Sequence, residues 1–99
     1  MANFSIAFTP EAEIEALQAY FWYEIQKAAL GEDFKICIDL KIESLKKNPK
    51  TSGYIYKNIR ASKIKRFPYN LIYRVFNSQI QVIAIFHQSR NPKEWRKRI

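Results

Sequence analysis

Apolar residues recur along the chain with two different periods, one typical of strands and one typical of helices. The opening segment Asn3–Phe8 alternates apolar with polar or small residues, which places Phe4, Ile6 and Phe8 on one face. Because only one face is apolar, this segment predicts a short, half-buried strand at the start of the chain.

The next segment has a helical period. Thr9 can cap a helix, and Pro10 suits the first helical position. The spacing predicts a first helix from about Pro10 to Ala29, closed by Gly31. The predicted inward stripe of this helix consists of Ile14, Leu17, Phe21, Ile25 and Ala28.

A second helical stripe consists of Phe34, Ile38, Ile42 and Leu45. It ends before Asn48-Pro49, because a proline disfavours helical geometry in the residue that precedes it. The connection between the two predicted helices is short, so we expect them to form an antiparallel hairpin.

From Tyr54 onward the chain is rich in aromatic and β-branched residues, with turn residues at Pro68 and Asn77-Ser78. The predicted strands are Tyr54–Ile59, Lys63–Phe67, Leu71–Phe76 and Ile80–Phe86. The last of them is apolar on both faces, which is typical of a central strand. In the tail that follows, Trp95 is the predicted anchor of a final helical turn.

This order of elements predicts an α+β fold. We expect a two-layer sandwich with an N-terminal strand, a helical hairpin, and a mostly antiparallel meander of three to four strands. The length of 99 residues suits one domain, covering residues 1–99.

Charge is distributed unevenly along the chain. Residues 1–50 contain six lysines and eight carboxylates, a net charge of −2, whereas residues 51–99 contain eleven cations and one acid, Glu94, a net charge of +10. Such a basic half attracts an acidic partner, which on charge alone can be nucleic acid, the ribosome, a membrane surface or an acidic protein segment. A merely solvating basic surface is the alternative.

The sequence offers little for metal or cofactor chemistry. A single cysteine, Cys37, and a single histidine, His87, cannot form an internal disulfide or a four-ligand zinc site. We therefore expect no metal and no cofactor, and we interpret Cys37 as a small core residue. The longest apolar run is short, and no leader segment is recognisable, so we expect a soluble cytoplasmic protein without membrane association.

Basic residues alternate with tyrosines in the second half of the chain. Guanidinium and ammonium groups neutralise phosphates while aromatic rings stack on bases, so this pattern suits RNA or single-stranded DNA, although it also occurs for structural reasons. His87 is the one side chain with an unperturbed pKa near neutrality. It can act as an acid or base in RNA cleavage beside an arginine, or simply end a strand with a local hydrogen bond.

Some apolar residues remain once the predicted core faces are filled. Ile36 and Leu40 point away from the stripe of the second helix, and Trp22 and Tyr23 flank the inner face of the first. These four residues can line a groove for a partner helix, although scattered exposed apolar residues are also common.

Two motifs give the chain a family resemblance. The segment Arg66–Val75 contains Phe67-Pro68-Tyr69, and His87, Arg90 and Pro92 form an H-x-x-R-x-P pattern that precedes Trp95. In combination these motifs, the first-helix proline and Asn48-Pro49 resemble the ParE/RelE toxin superfamily of type II toxin–antitoxin modules, in its ParE-like, plasmid-stabilisation branch. The resemblance extends over almost the whole chain.

The resemblance implies a small cytoplasmic toxin that forms a hetero-oligomer with its cognate antitoxin, an acidic and partly disordered protein. Trp22, Ile36 and Leu40 would then line the antitoxin groove. ParE-like members are described as poisons of DNA gyrase, and RelE-like members cut messenger RNA on the ribosome without a metal. Phe67-Pro68-Tyr69 and Trp95 favour gyrase as the target, with a nuclease as the alternative and a non-toxic basic interaction module as a third possibility.

The resemblance also suggests residue roles. For a nuclease, the candidates would be Arg66 to stabilise charge, His87 as acid or base, and Lys63 or Lys65 to hold the phosphate, with Arg60 on a matching strand. The surface expected to bind the target or another anionic partner consists of Arg60, Lys63, Lys65, Arg66, Tyr73, Arg74, Arg90, Trp95, Arg96 and Arg98.

Overall fold

The computed structural model describes residues 4–99 and places a helical hairpin on one face of a five-stranded sheet. The elements are β1 (Ser5–Phe8), α1 (Pro10–Gln26), α2 (Leu30–Lys47), β2 (Tyr54–Tyr56), β3 (Ile59–Lys63), β4 (Tyr69–Phe76), β5 (Gln79–His87) and α3 (Lys93–Arg96). The strand order is β1-β5-β4-β3-β2. Only β1 pairs in parallel, with β5, so the α+β two-layer prediction is confirmed.

The strand predictions are correct in number and differ in position. Asn3 lies outside the described residues, and the predicted N-terminal strand is observed as β1. The predicted strand Tyr54–Ile59 is divided by a turn in which Lys57 has a φ of 51°, and the next strand is Ile59–Lys63, not Lys63–Phe67. Strand β5 lies between β1 and β4, which explains why it is apolar on both faces.

The predicted inward stripe of α1 is wrong. Ile14, Leu17, Phe21 and Ile25 are 53%, 57%, 59% and 82% exposed, respectively, and Ala28 is also exposed. The residues that face the sheet are instead Ala12, Ala16, Ala19 and Tyr23. Both faces of α1 are apolar, and the alanine face lies against the sheet because its small side chains permit a close approach.

The ends of the two helices follow the sequence more closely. Thr9 Oγ1 accepts a hydrogen bond from the amide of Ala12 at 3.2 Å, so the predicted N-cap is confirmed. Helix α1 ends at Gln26, and Ala29, with a φ of 70°, leads into α2. The stripe of α2 faces inward as predicted, and its buried members are Phe34, Ile38 and Leu45.

Gly31 does not close the first helix. It lies in the first turn of α2 and has no positive φ. A Cβ at this position would lie 2.5 Å from the carbonyl oxygen of Tyr20 and 2.6 Å from Cγ of Glu24. Gly31 therefore allows α2 to begin directly against α1, which fixes the geometry of the hairpin.

Two apolar clusters hold the layers together. The larger one fills the space between the hairpin and the sheet, and includes Phe34, Leu45, Leu71, Tyr73 and Val82. The smaller one lies on the opposite side of the sheet, which we call the outer face. It consists of Ile59, Ile72, Ile83, Ala84, Phe86 and Trp95.

Substituting Gly31→Ala should lower the free energy of unfolding by about 1 to 3 kcal/mol. The added methyl group would clash with the backbone carbonyl of Tyr20, so α1 would have to shift relative to α2. Gly53→Ala is the matched control, because a Cβ added there would have nothing within 4 Å and the residue has no positive φ. We expect this control to stay within about 1 kcal/mol of the parent chain. Urea unfolding measures both, and equal stabilities of the two variants would contradict the packing role of Gly31.

Candidate functional site

Strand β5 extends beyond its neighbour β1, and side chains complete its free edge. The pairing of β1 with β5 ends at Val82. Beyond it, the carbonyl of Ile83 accepts a hydrogen bond from Arg98 Nη1 at 3.0 Å, and the amide of Ile85 donates to Glu15 Oε1 at 3.2 Å. These backbone groups are therefore paired where the neighbouring strand is missing.

Glu15 also binds two arginines. Arg98 donates to both carboxylate oxygens of Glu15, at 2.9 and 2.8 Å. Arg90 donates through Nη1 to Glu15 at 2.9 Å and through Nη2 to Glu94 at 2.6 Å. The hydrogen bond to Glu94 raises the pKa of Arg90, and the hydrogen bond to Glu15 raises the pKa of Arg98, so both arginines stay charged. Both were expected to bind the target; here they attach the C-terminal segment to α1.

Arg60 and Tyr73 are directed toward the helical layer. The hydroxyl of Tyr73 donates to the carbonyl of Pro49 at 2.6 Å, and Arg60 donates to the carbonyl of Ser52. The Arg60 guanidinium lies 4.0 Å from the centroid of the Tyr54 ring. Both side chains are buried, so they fix the connection between α2 and β2 and are removed from the predicted binding surface.

His87 also faces the helical layer. It lies directly opposite Tyr69 in the β4–β5 pairing, and the two ring centroids are 5.1 Å apart. Its Nδ1 accepts a hydrogen bond from the amide of Ser89 at 3.0 Å, so Nε2 carries the proton in the neutral ring. The histidine borders two cavities, one of about 200 Å³ beside Glu15 and Trp22 and one of about 210 Å³ on the outer face beside Phe86.

The other two predicted nuclease residues lie elsewhere. Lys63 pairs with Asn70, which lines a cavity on the outer face, and β3 is two strands away from β5. Arg66 has a φ of 74° in the turn after β3, and its Nη2 lies 3.6 Å from the carboxylate of Asp33 on α2. The structure therefore does not bring Lys63, Arg66 and His87 together at one site.

The outer face carries the basic and aromatic side chains that remain available. Lys57, Lys63, Arg74 and Arg96 lie on or beside this face. The Arg96 guanidinium is 4.7 Å from the centroid of the Tyr56 ring, and Lys57 Nζ is 5.3 Å from the same centroid. This arrangement can bind an acidic or phosphate-bearing surface.

A shallow cavity of about 210 Å³ lies at one end of the outer face. Ile72 and Phe86 contribute its apolar part, and Arg96 lies at its border. Trp95 also lines it and is only 3% exposed, packed in the outer apolar cluster. Trp95 thus anchors α3 as predicted, and its burial leaves it little surface for contact with a target.

The predicted target-binding residues therefore divide into two groups. Those that are exposed or half-buried, and make no contact with Glu15, are Lys63, Lys65, Arg66, Arg74 and Arg96. Those that are buried, or held by Glu15, are Arg60, Tyr73, Arg90, Trp95 and Arg98. The basic surface is smaller than the sequence predicts, because several arginines serve as internal donors.

Three of the predicted groove residues are exposed, at 56% for Trp22, 54% for Ile36 and 62% for Leu40, whereas Tyr23 packs against the core. Trp22 lies on α1, whereas Ile36 and Leu40 lie on α2, and none of the cavities described for residues 4–99 contains all three.

The structure shows two apolar surfaces that the sequence reasoning missed. A groove of about 470 Å³ lies between α1, α2 and β1, with Phe8, Leu17 and Ile42 among its lining residues. A depression of about 410 Å³ follows the exposed side of α1. The signal was present in the sequence, because α1 has more apolar residues than one buried face requires.

Among residues 4–99, no group of three or more histidine, cysteine or acidic side chains is placed to hold a metal ion. Cys37 is buried and forms no disulfide bond within that range. In the same range, none of the helices combines the length and apolar character needed to cross a membrane.

The comparisons with known proteins agree with this architecture. A family model described as the ParE toxin of the type II toxin–antitoxin system parDE matches residues 6–92. A solved structure of the chromosomal ParDE toxin–antitoxin system from P. aeruginosa is similar to 85% of this chain and 95% of its own, with a TM-score of 0.75 and 18% identity. The solved structure of the YoeB dimer from Staphylococcus aureus is similar to 87% of this chain and 98% of its own, with a TM-score of 0.59 and 16% identity. No curated protein sequence gives a significant match.

Substituting Glu15→Gln should destabilise the fold by about 2 kcal/mol, because the neutral amide turns an NH₂ group toward donors and leaves two arginines without their carboxylate. Glu13→Gln on the same helix is the control, since Glu13 is exposed and in no ion pair among residues 4–99. We expect the control to change stability by less than about 1 kcal/mol. Thermal and urea unfolding check this, and similar losses in both variants would contradict the role of Glu15.

Proposed function

The chain belongs to the ParE toxin family of type II toxin–antitoxin systems, and we propose that it inhibits growth by binding DNA gyrase until a cognate antitoxin neutralises it. The family membership establishes the toxin class and implies an antitoxin partner. The target is the part that we propose. The observation that carries it is the separation of Lys63 and Arg66 from His87, so the three residues expected to cleave RNA do not share one site.

Cleavage of RNA without a metal needs proton transfer next to a cation that stabilises the phosphorane. His87 is separated from Lys63 and Arg66, and Arg90, which lines the same cavities as His87, is bound to Glu15 and Glu94. Burial raises the pKa of both Tyr69 and Tyr73, so both phenols stay protonated near neutral pH. From Thr51 to Lys93 the chain contains no aspartate or glutamate. These features support a toxin that acts by binding and not by acid–base catalysis.

The outer face is the surface that we assign to the target. It carries Lys63 and Arg74 on its strands, Lys57 in the turn between β2 and β3, and Arg96 on α3, beside exposed and half-buried aromatic rings. Basic residues at the border of an interface speed the encounter with an acidic partner, while apolar groups at its centre hold the complex. An acidic, partly disordered segment of the antitoxin would mask the same face by charge complementarity.

Replacing Lys57 and Lys63 together by glutamine should raise the concentration needed for half-inhibition of gyrase supercoiling by about tenfold, which corresponds to about 1.4 kcal/mol of lost binding. The matched control replaces Lys27 and Lys47, two exposed lysines of the helical layer, by glutamine. We expect the control to inhibit like the parent chain. Equal inhibition by both double variants would remove the outer face as the gyrase-binding surface.

The variant His87→Gln should still arrest growth, because the proposed binding of gyrase uses the basic residues of the outer face and needs no proton transfer by His87. Regulated expression would be combined with measurements of plasmid supercoiling, of messenger RNA integrity on ribosomes, and of folding by circular dichroism. Loss of supercoiling with intact messenger RNA is the expected result. Ribosome-dependent cleavage by the parent chain, abolished in a folded His87→Gln variant, would instead establish a RelE-like nuclease.

A further inference from the structure

The shallow cavity at the end of the outer face, which we call the outer cavity, combines an apolar floor with an aliphatic rim. Ile72, Phe86 and Trp95 form the floor and are at most 4% exposed, while Ile55 and Pro92 lie exposed at the rim. The volume of about 210 Å³ is below the range of about 300–1,000 Å³ that is typical of pockets for whole small molecules. The outer cavity therefore suits a single side chain of a partner.

Two arginines line the outer cavity, and only one of them is neutralised by the chain. Arg90 pairs with two carboxylates, at 2.9 and 2.6 Å. Arg96 is exposed and is in no ion pair among residues 4–99. Its guanidinium is nevertheless held in place, because it lies 4.7 Å from the centroid of the Tyr56 ring and 5.6 Å from that of Trp95. Arg96 is thus a positioned cation without an anion at the border of an apolar cavity.

The surroundings of Arg96 supply further cations and no available acid. Lys57 lies beside the same tyrosine ring, and Lys63 pairs with a residue that lines the cavity. The chain contains no aspartate or glutamate from Thr51 to Lys93, and Glu94, on α3, is already in an ion pair. A carboxylate that pairs with Arg96 would therefore come from another molecule, which makes an acidic partner the complement of this site.

The aromatic rings around the outer cavity argue against a nucleic acid as that partner. Binding of single strands uses open ring faces on which bases stack. The Phe86 ring is 4% exposed and its centroid lies 4.2 Å from the Arg90 guanidinium, while Trp95 is 3% exposed and Tyr56 is covered by Arg96. The rings are thus occupied by cations of the chain itself, whereas the aliphatic rim suits the side chain of a peptide.

We propose that the outer cavity anchors an acidic peptide segment of gyrase, taking one leucine-sized side chain while a neighbouring carboxylate of the segment pairs with Arg96. The choice of gyrase rests on the proposed function, whereas the chemistry of the cavity rests on its lining residues. An apolar anchor in a pocket and a charge-assisted hydrogen bond beside it supply both affinity and orientation. The cavity would give the outer face a preference for a particular sequence, which the exposed lysines alone do not provide.

The first test measures binding of short peptides to the full chain through the fluorescence of Trp95. The chain has two tryptophans, so a Trp22→Phe background leaves the indole that lines the outer cavity as the only one. Three peptides of equal length serve as probes. They carry a central leucine flanked by aspartates, the same leucine flanked by asparagines, and a central serine flanked by aspartates.

The leucine–aspartate peptide should bind at least about tenfold more tightly than either of the other two, because it alone offers both the apolar side chain and the carboxylate. Equal binding of the three peptides would overturn the proposal. A single-stranded oligonucleotide that bound more tightly than this peptide and displaced it would also overturn the proposal, in favour of a nucleic-acid site.

Matched variants locate the peptide. Arg96→Gln should weaken binding of the leucine–aspartate peptide by about tenfold and leave the leucine–asparagine peptide unaffected. Lys97→Gln is the control, because Lys97 is exposed at the next position and does not line the cavity. Ile55→Ser should weaken binding of both leucine peptides, whereas Phe76→Ser, 68% exposed and outside the cavity, should not. All four changes are at exposed positions, and circular dichroism checks folding. Equal losses in a variant and its control would contradict the assigned contacts.

The second test identifies the occupant. Purified gyrase and the protein encoded by the adjacent gene are added in turn to the chain loaded with the leucine–aspartate peptide. Displacement by gyrase, with weaker inhibition of supercoiling by Arg96→Gln than by Lys97→Gln, is the expected result. Displacement by the adjacent gene's protein and not by gyrase would overturn the choice of gyrase. A parent chain that does not inhibit gyrase would reject the proposed function, while the peptide measurements would still decide the chemistry of the outer cavity.

Discussion

The carboxylate of Glu15 is the contact on which the arrangement of the C-terminal half depends. Strand β1 covers only the first part of the β5 edge, and the backbone groups beyond it need other partners. Glu15 accepts from the amide of Ile85, and Arg98 donates both to Glu15 and to the carbonyl of Ile83. The same contacts hold the C-terminal segment in place, with Trp95 packed on the outer face. One side chain of α1 thereby links the helical layer, the central strand and the chain end.

This use of arginines as internal donors changes the charge pattern of the surface. Arg60, Arg90 and Arg98 are committed to carbonyls and carboxylates of the chain itself, and Arg66 lies beside Asp33. Of the predicted target-binding residues, Lys63, Arg74 and Arg96 remain available on the outer face, while α1 presents glutamates and apolar residues. The outer face and α1 thus differ in charge, and each also carries apolar side chains.

The placement of the ionisable groups also bears on how a toxin of this family would act. A nuclease must hold a cation and a proton-transfer group at one phosphate, and in this chain Lys63 lies at the end of β3, Arg66 in the turn beside α2, and His87 at the end of β5. A toxin that binds a large target needs only a surface of suitable shape and charge. The structure therefore supports the proposal of a binding toxin, and the exposed apolar residues of α1 support a partner that covers them.

The sequence by itself determined the order of the elements, the N-cap of α1, the inward stripe of α2, the central position of β5 and the family, because these depend on local period, turn chemistry and motif spacing. It could not decide which face of α1 is buried, since both faces are apolar and the choice depends on how closely the sheet can approach alanines. It also could not separate Lys63 from His87, or assign Arg90 and Arg98 to Glu15, because these contacts join residues far apart in the chain. Strand pairing and the bulge between Ile72 and Tyr73 determine which side chains lie on each face of the sheet, so only the tertiary structure decides which residues form the candidate site.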